Sequence, residues 1–315
     1  MRLPTMYQFQ SQIRSFTNQS EAINSVRDKI SLGGKKILQG SDDPLLAMRI
    51  KSTQDYLEKI ESYELNNTIA DNRLALVDST LQSILDFTGK SNELLIRAQN
   101  DTLNNGDRTA IAQELQGYRN ALIGLANTTD SNGDFLFAGT AVKTTPYVIQ
   151  ANSVVYQGAQ EANYIDISTN NRILYTDVGN KLFNFTDAND GSNNQNMFNM
   201  LQDIVTTLEL PQQSEQDKID FHTKIEKLDN VLLTIQTQMR AYQADLGGRQ
   251  KVVADQNQLM KNIIFDEQLM LKKLSEDDLE SLYLDLSQKT VLLELTEQTY
   301  MKIQETFFKL LDRSF

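Results

Sequence analysis

The stretch FHTKIEKLDNVLLTIQTQMRAYQADLGGRQKVVADQNQLM, residues 221–260, decides the fold. Apolar residues recur in it at alternating steps of four and three: Phe221, Ile225, Leu228, Leu232, Ile235, Met239, Tyr242, Leu246, Val253 and Met260. That spacing puts them on one face of an α-helix and is the repeat of a helix–helix seam. Extended through Ile263, Met270 and Leu274, the seam has polar residues only at Arg249, Gln256 and Glu267. At ~1.5 Å per residue such a helix spans roughly 80 Å, more than a compact domain would hold. Gly247-Gly248 is its expected weak point, since each helical glycine costs ~1 kcal/mol against alanine.

The same spacing reappears at both ends of the chain. On the C-terminal side it runs through Leu279, Leu282, Leu286, Leu293, Tyr300, Ile303, Phe307 and Leu310. Glu276-Asp277-Asp278 precede it and suit the positive end of a helix dipole. On the N-terminal side it runs through Met6, Phe9, Ile13, Phe16, Ile23 and Ile30, until Gly33-Gly34 breaks it. An amphipathic helix is marginal alone in water, so each stripe needs a partner. The simplest partner for the first stripe is the last. Phe9, Phe16, Phe307, Phe308 and Phe315 concentrate large apolar groups at ends that are usually polar. Val26, Leu292 and Leu311 widen the apolar faces beyond one seam. The expected assembly interface is therefore Phe9, Ile13, Phe16, Ile23, Ile30, Leu286, Leu293, Tyr300, Ile303, Phe307 and Leu310.

Between these lie further helices. Pro44, behind Ser41-Asp42-Asp43, predicts a helix start. Its seam runs Leu46, Ile50, Thr53, Leu57, Ile60, then slips and resumes at Leu74, Val77, Leu81 and Ile84. Asn104 to Asp107 reads as a turn with Asp107 as cap, followed by Ile111, Leu115, Tyr118, Leu122 and Leu125. That helix is expected to stop near Asp130 to Asp134.

Residues 135–137, 147–149, 154–156, 164–169 and 172–176 are short, rich in β-branched or aromatic side chains, and separated by Gly, Asn and Ser. They read as strands. Phe185 to Asn196 reads as a loop. The expected fold is mainly α: a long antiparallel bundle or coiled coil from both chain ends, with a small inserted β domain. The expected division is a terminal coiled-coil pair (1–42 with 276–315), a helical rod domain (43–137 with 195–275) and the β domain (138–194).

Composition narrows the function. A net charge of −12 disfavours nucleic acid, which needs clustered Lys and Arg. The absence of cysteine removes disulfides, thiolate nucleophiles and Cys-based metal sites. His222 is the only histidine and has no nucleophile motif beside it, so it reads as structural or solvated. Asp42-Asp43 and Asp277-Asp278 sit at helix starts, where capping explains them. Asp187 to Gly191 departs from a calcium loop, with Phe198 where glutamate should stand. No phosphate-binding glycine motif occurs. Neither a signal-peptide core nor a run of ~20 apolar residues is present. That pattern suits a cytoplasmic protein, or one exported without a cleaved signal, and no membrane contact is expected. Catalytic, cofactor-binding and metal residues are expected to be none.

Several short motifs, in order, resemble the flagellin superfamily and most closely the hook-associated protein 3 family. They are Ile37-Leu38-Gln39-Gly40-Ser41-Asp42-Asp43-Pro44 with Ala47, then Ala98 to Thr102, Asp107-Arg108, Glu114-Leu115 and Leu125-Ala126-Asn127. Gly133-Asp134-Phe135-Leu136-Phe137-Ala138-Gly139-Thr140 is similar to the strand of junction proteins rather than of filament flagellin. Leu246-Gly247-Gly248-Arg249, Glu276 to Leu279 and Lys309 to Asp312 match the C-terminal side. The likeness covers about 1–140 and 215–315. Leu45-Leu46 departs from it, because flagellins often carry small residues there.

The resemblance implies a non-enzymatic adaptor connecting hook to filament, with no cofactor. It implies a subunit exported unfolded through the flagellar type III apparatus to an extracellular position. Implied partners are other copies in a ring, a neighbouring hook-associated protein, flagellin and an export chaperone. Its termini would fold on assembly. Two alternatives stay open on the residues: filament flagellin itself, and an enzyme or ligand-binding protein that uses the β insert.

Overall fold

The computed structural model describes the backbone of residues 2–37, 39–151, 153–185, 195–211 and 214–312, and their side chains except at 2–6, 8–9 and 306–312. In chain order the elements are α1 (Arg2–Ser31), α2 (Pro44–Ala98), α3 (Asn105–Ala126), β1 (Tyr147–Gln150), β2 (Ser153–Tyr156), β3 (Tyr164–Ser168), β4 (Asn171–Leu174), α4 (Gly179–Phe183), β5 (Asn184–Phe185), β6 (Gln195–Asn196), α5 (Met197–Glu209), α6 (Glu215–Ser275) and α7 (Leu279–Asp312). The fold is mainly helical, with a small sheet region, as expected. The chain forms two compact units, residues 1–60 with 262–315 and residues 61–261.

In the 61–261 unit, Leu74, Val77, Leu81 and Ile84 of α2 are buried together with Ile111, Leu115 and Leu122 of α3 and Phe221, Ile225, Leu232, Ile235, Met239 and Leu246 of α6. The seam read from sequence is thus the core through Met260. The slip expected in α2 is absent. Ile60, Asn67 and Leu74 are buried one heptad apart, and Ala70 lies between them. Asn67 reads as a break because it is polar, yet it is fully buried. Its Nδ2 donates to the Ile167 carbonyl at 3.1 Å and to the Tyr63 carbonyl at 2.9 Å, which offsets part of the cost of burying an amide.

Among the described residues the β region holds three antiparallel two-stranded sheets, β1–β2, β3–β4 and β5–β6. Tyr147, Val154, Ile167, Ile173 and Phe183 join the same buried cluster as the helices. Four of the five expected strands are present. The fifth, Phe135 to Phe137, is instead a tightly turned segment. Its amides find separate partners: Phe135 N–H donates to Val142 at 2.8 Å and Leu136 N–H to Thr128 at 3.0 Å. Gly139 holds a left-handed φ of +63° there, and an added Cβ would stand 2.5 Å from the Glu161 carbonyl. Leu136 and Phe137 are nevertheless fully buried, so the apolar run marks core rather than strand.

Two local readings change. The N-cap of α3 is Asn104, and Asp107 closes the capping box from the third helical position. α5, which the apolar spacing did not show, begins at Met197 directly after the expected loop, and the side chain of its N-cap Asn196 accepts from Phe198 and Asn199 N–H groups. The calcium-like stretch 187–191 lies outside the described residues.

Candidate assembly interface

In the other unit, α1 and α7 lie against each other. Ile23 and Val26 of α1 and Leu282 of α7 are buried, and Phe16 meets Tyr300 edge-on with ring centroids 6.1 Å apart. Ile30, Leu286 and Leu293 are half-buried. Of the expected interface, these residues belong to the α1–α7 unit. Ile13 sits a quarter-turn off the buried face and is 49% exposed, and Ile303 is 53% exposed. The side chains of Phe9, Phe307 and Leu310 lie outside the described residues.

α7 carries a second apolar stripe that seam counting missed. At ~100° per residue, Leu284, Val291 and Leu295 fall within about 40° of one another and roughly opposite Leu282, Leu286, Leu293 and Tyr300. Leu284 is 63% exposed, Val291 51% and Leu295 54%. The signal was present as a second i, i+7, i+11 series outside the a/d positions. Beside it, Ser15, Asn18, Gln19, Ala22, Lys289 and Leu292 line a groove of about 230 Å³. Among the described residues, this unit fully buries only four apolar side chains: Ile23, Val26, Ile60 and Leu282. Exposed Leu45, Met48 and Tyr56 of α2 and Phe265, Leu269 and Met270 of α6 add further uncovered apolar surface.

The polar groups that sequence singled out have structural settings. His222 Nε2 lies 2.6 Å from Asp101 Oδ1, a solvent-facing pair tying the α2–α3 turn to α6. Asp43 Oδ1 accepts from Leu46 N–H at 3.0 Å, and Asp278 Oδ1 from Glu280 N–H at 3.2 Å, so one carboxylate of each pair serves a helix start, while Asp42 Oδ2 accepts from Gln39 N–H at 2.8 Å in the preceding turn. Asp130 accepts from Asn132 and Asp134 N–H groups in an ordinary turn and pairs with buried Arg73 at 2.7 Å. Arg249 places Nη1 3.0 Å from the buried Asp177 carboxylate and lies over the Tyr242 ring. Burial pushes the Tyr242 hydroxyl well above the usual phenol range, and burial pushes Tyr156 up to about 12. Among the described residues, no group of three or more acidic or histidine side chains is placed to hold a metal, and no helix is long and apolar enough to cross a membrane.

Residues 5–142 match the bacterial flagellin N-terminal helical region. The chain is 28% identical over 254 residues to flagellar hook-associated protein 3 of Escherichia coli K12, covering 78% of this chain and 79% of that one. It is 24% identical over 311 residues to flagellar hook-associated protein 3 of Salmonella typhimurium LT2, covering 96% and 97%. In structure it is similar to flagellar hook-associated protein 3 from Legionella pneumophila, with a TM-score of 0.66, 18% identity, and 71% of this chain on 98% of that one.

Proposed function

We propose that this chain is a hook-associated protein 3-type subunit, the structural adaptor that joins hook to filament in a bacterial flagellum. The resemblance read from the short motifs extends, in the curated relatives, over most of the chain. It is not an enzyme; its relatives are structural flagellar proteins. One observation of the fold carries the assembly reading. α7 has apolar stripes on opposite sides, and α1 covers only one of them. A stripe of three exposed branched side chains on one helix is a contact surface, because its burial requires another chain.

In this reading the terminal pair, residues 1–42 with 276–315, is the assembly element. Phe9, Ile13, Phe16, Ile23, Ile30, Leu286, Leu293, Tyr300, Ile303, Phe307 and Leu310 divide their surfaces between the α1–α7 pair and neighbouring copies. Residues 43–137 with 195–275 support it, and residues 138–194 face outward. Copies close into a ring that meets a hook-side junction protein on one side and flagellin on the other. The chain reaches that position by export without a cleaved signal, accompanied by a chaperone on its C-terminal helix. Scant burial in the terminal unit supports termini that fold only when neighbours arrive.

The test is complementation. Flagellated cells lacking their own junction subunit, given this chain with a small epitope label, should regain filaments, with label confined to the hook–filament boundary in electron micrographs. Label along whole filaments, or long filaments grown from purified protein alone, would favour filament flagellin. Absence of label from flagella that have regained filaments would overturn the reading.

A further inference from the structure

We propose that the crossing segments 33–36 and 275–279 form a clamp through which the C-cap of α1 and the start of α7 complete each other, so that the two helices order together. α1 ends in a two-glycine turn. Gly33 N–H donates to Ile30 at 3.1 Å and Gly34 N–H to Lys29 at 2.8 Å, the Schellman pattern, with φ of +76° and +87°. The Gly34 carbonyl then accepts from Asp277 N–H at 2.6 Å, and Lys36 N–H donates to the Ser275 carbonyl at 2.8 Å. Lys35 and Glu276 form an isolated antiparallel bridge, and Lys36 Nζ donates to the Lys273 carbonyl. Asp277 also reaches back to Lys29 Nζ, in the last turn of α1, at 3.9 Å. The next residue, Asp278, starts α7: its carbonyl accepts from Leu282 N–H at 3.0 Å.

One short stretch thus ends α1, covers the last carbonyls of α6 through Lys36 and begins α7. Each side satisfies backbone groups that the other would leave open, which makes partial formation unfavourable. The two glycines separate the contributions. An added Cβ at Gly33 meets nothing within 4 Å, whereas at Gly34 it stands 2.8 Å from the Asp277 carbonyl oxygen and 3.4 Å from Leu279 Cδ2. Gly33 serves the turn alone. Gly34 serves the turn and the crossing. This coupling is intramolecular and does not depend on what the terminal helices assemble with.

The chain has no cysteine, so a single engineered pair is unambiguous. Bridged antiparallel residues have Cα atoms about 4.5–5.5 Å apart, within the disulfide range. Hydrogen exchange of the full chain carrying Lys35→Cys and Glu276→Cys is compared in the oxidised and reduced forms, with the 61–261 unit as internal reference. Oxidation should raise amide protection roughly tenfold or more along both helices, as far out as Phe16 and Tyr300. Adding Gly34→Ala should remove the gain from both. Adding Gly33→Ala should cost roughly 5–30-fold, the left-handed strain alone, and always less than Gly34→Ala. A gain confined to the few residues around the bridge, a gain in one helix only, or equal effects of the two alanines would each overturn the clamp.

Discussion

Replacing Leu284, Val291 and Leu295 together by glutamine isolates the outer stripe of α7. All three are more than half exposed, so the folded chain loses little when they change. Glutamine is a good helix former, and at position 291 it replaces a poorer one, so the helix itself should not weaken. Fully burying a Leu or Val side chain is worth ~1.5–3 kcal/mol over leaving it exposed. With about half of each side chain still to be covered, a neighbour gains about 1 kcal/mol per residue, or about 3 kcal/mol across the stripe. That is about a hundredfold in association. The triple variant should therefore show an unchanged denaturant midpoint as a monomer while failing to enter flagella, read by motility and by microscopy of the hook–filament boundary. Normal incorporation would refute the role of the stripe. So would a loss of monomer stability above about 1 kcal/mol, because it would place these residues in the intramolecular core.

Four further outcomes are expected. In the dilute monomer, amides of 1–40 and 277–315 should exchange far faster than those of the 61–261 core, and strong protection in both termini would remove assembly-coupled folding. Arg249→Ala should cost about 3–5 kcal/mol in denaturant unfolding, because it strands the buried Asp177 carboxylate, and Asp177→Asn in that background should restore part of the loss. Burial raises the folded-state pKa of Tyr147, Tyr156 and Tyr242, so the unfolded chain releases these protons first. Their contribution is complete below pH ~10, the free phenol value. It is lost as pH rises towards about 12 for Tyr156 and beyond that for the other two, by ~1.4 kcal/mol per pH unit for each ionising group. A urea midpoint that stays flat from pH 9 to 12 would contradict it. Finally, Gly247→Ala and Gly248→Ala should each stabilise the monomer by ~1 kcal/mol in thermal or denaturant unfolding, since both are exposed, helical and free of neighbours within 4 Å of an added Cβ.

Sequence alone determined the long helices α1, α2, α3, α6 and α7, because a seam of apolar residues at steps of three and four is a property of the chain and needs no partner to be visible. It also showed the four strands of β1–β4, through short β-branched and aromatic runs between turn residues. It named the terminal stripes as surfaces in need of cover. Tertiary structure alone decided what covers each apolar face and which faces stay open. The slip expected between Ile60 and Leu74 is absent because Asn67 is core, with a carbonyl of β3 opposite it. Phe135 to Phe137 looked like a strand and is a turn, because Gly133 and Gly139 bend it and its amides find separate partners. Leu284, Val291 and Leu295 are apolar in any reading, but only the placement of α1 on the far side of α7 leaves them open. The link between Gly34 and Asp277 was equally out of reach. Nothing local in either segment signals a hydrogen bond to a residue more than two hundred positions away; it exists because the two helices lie side by side.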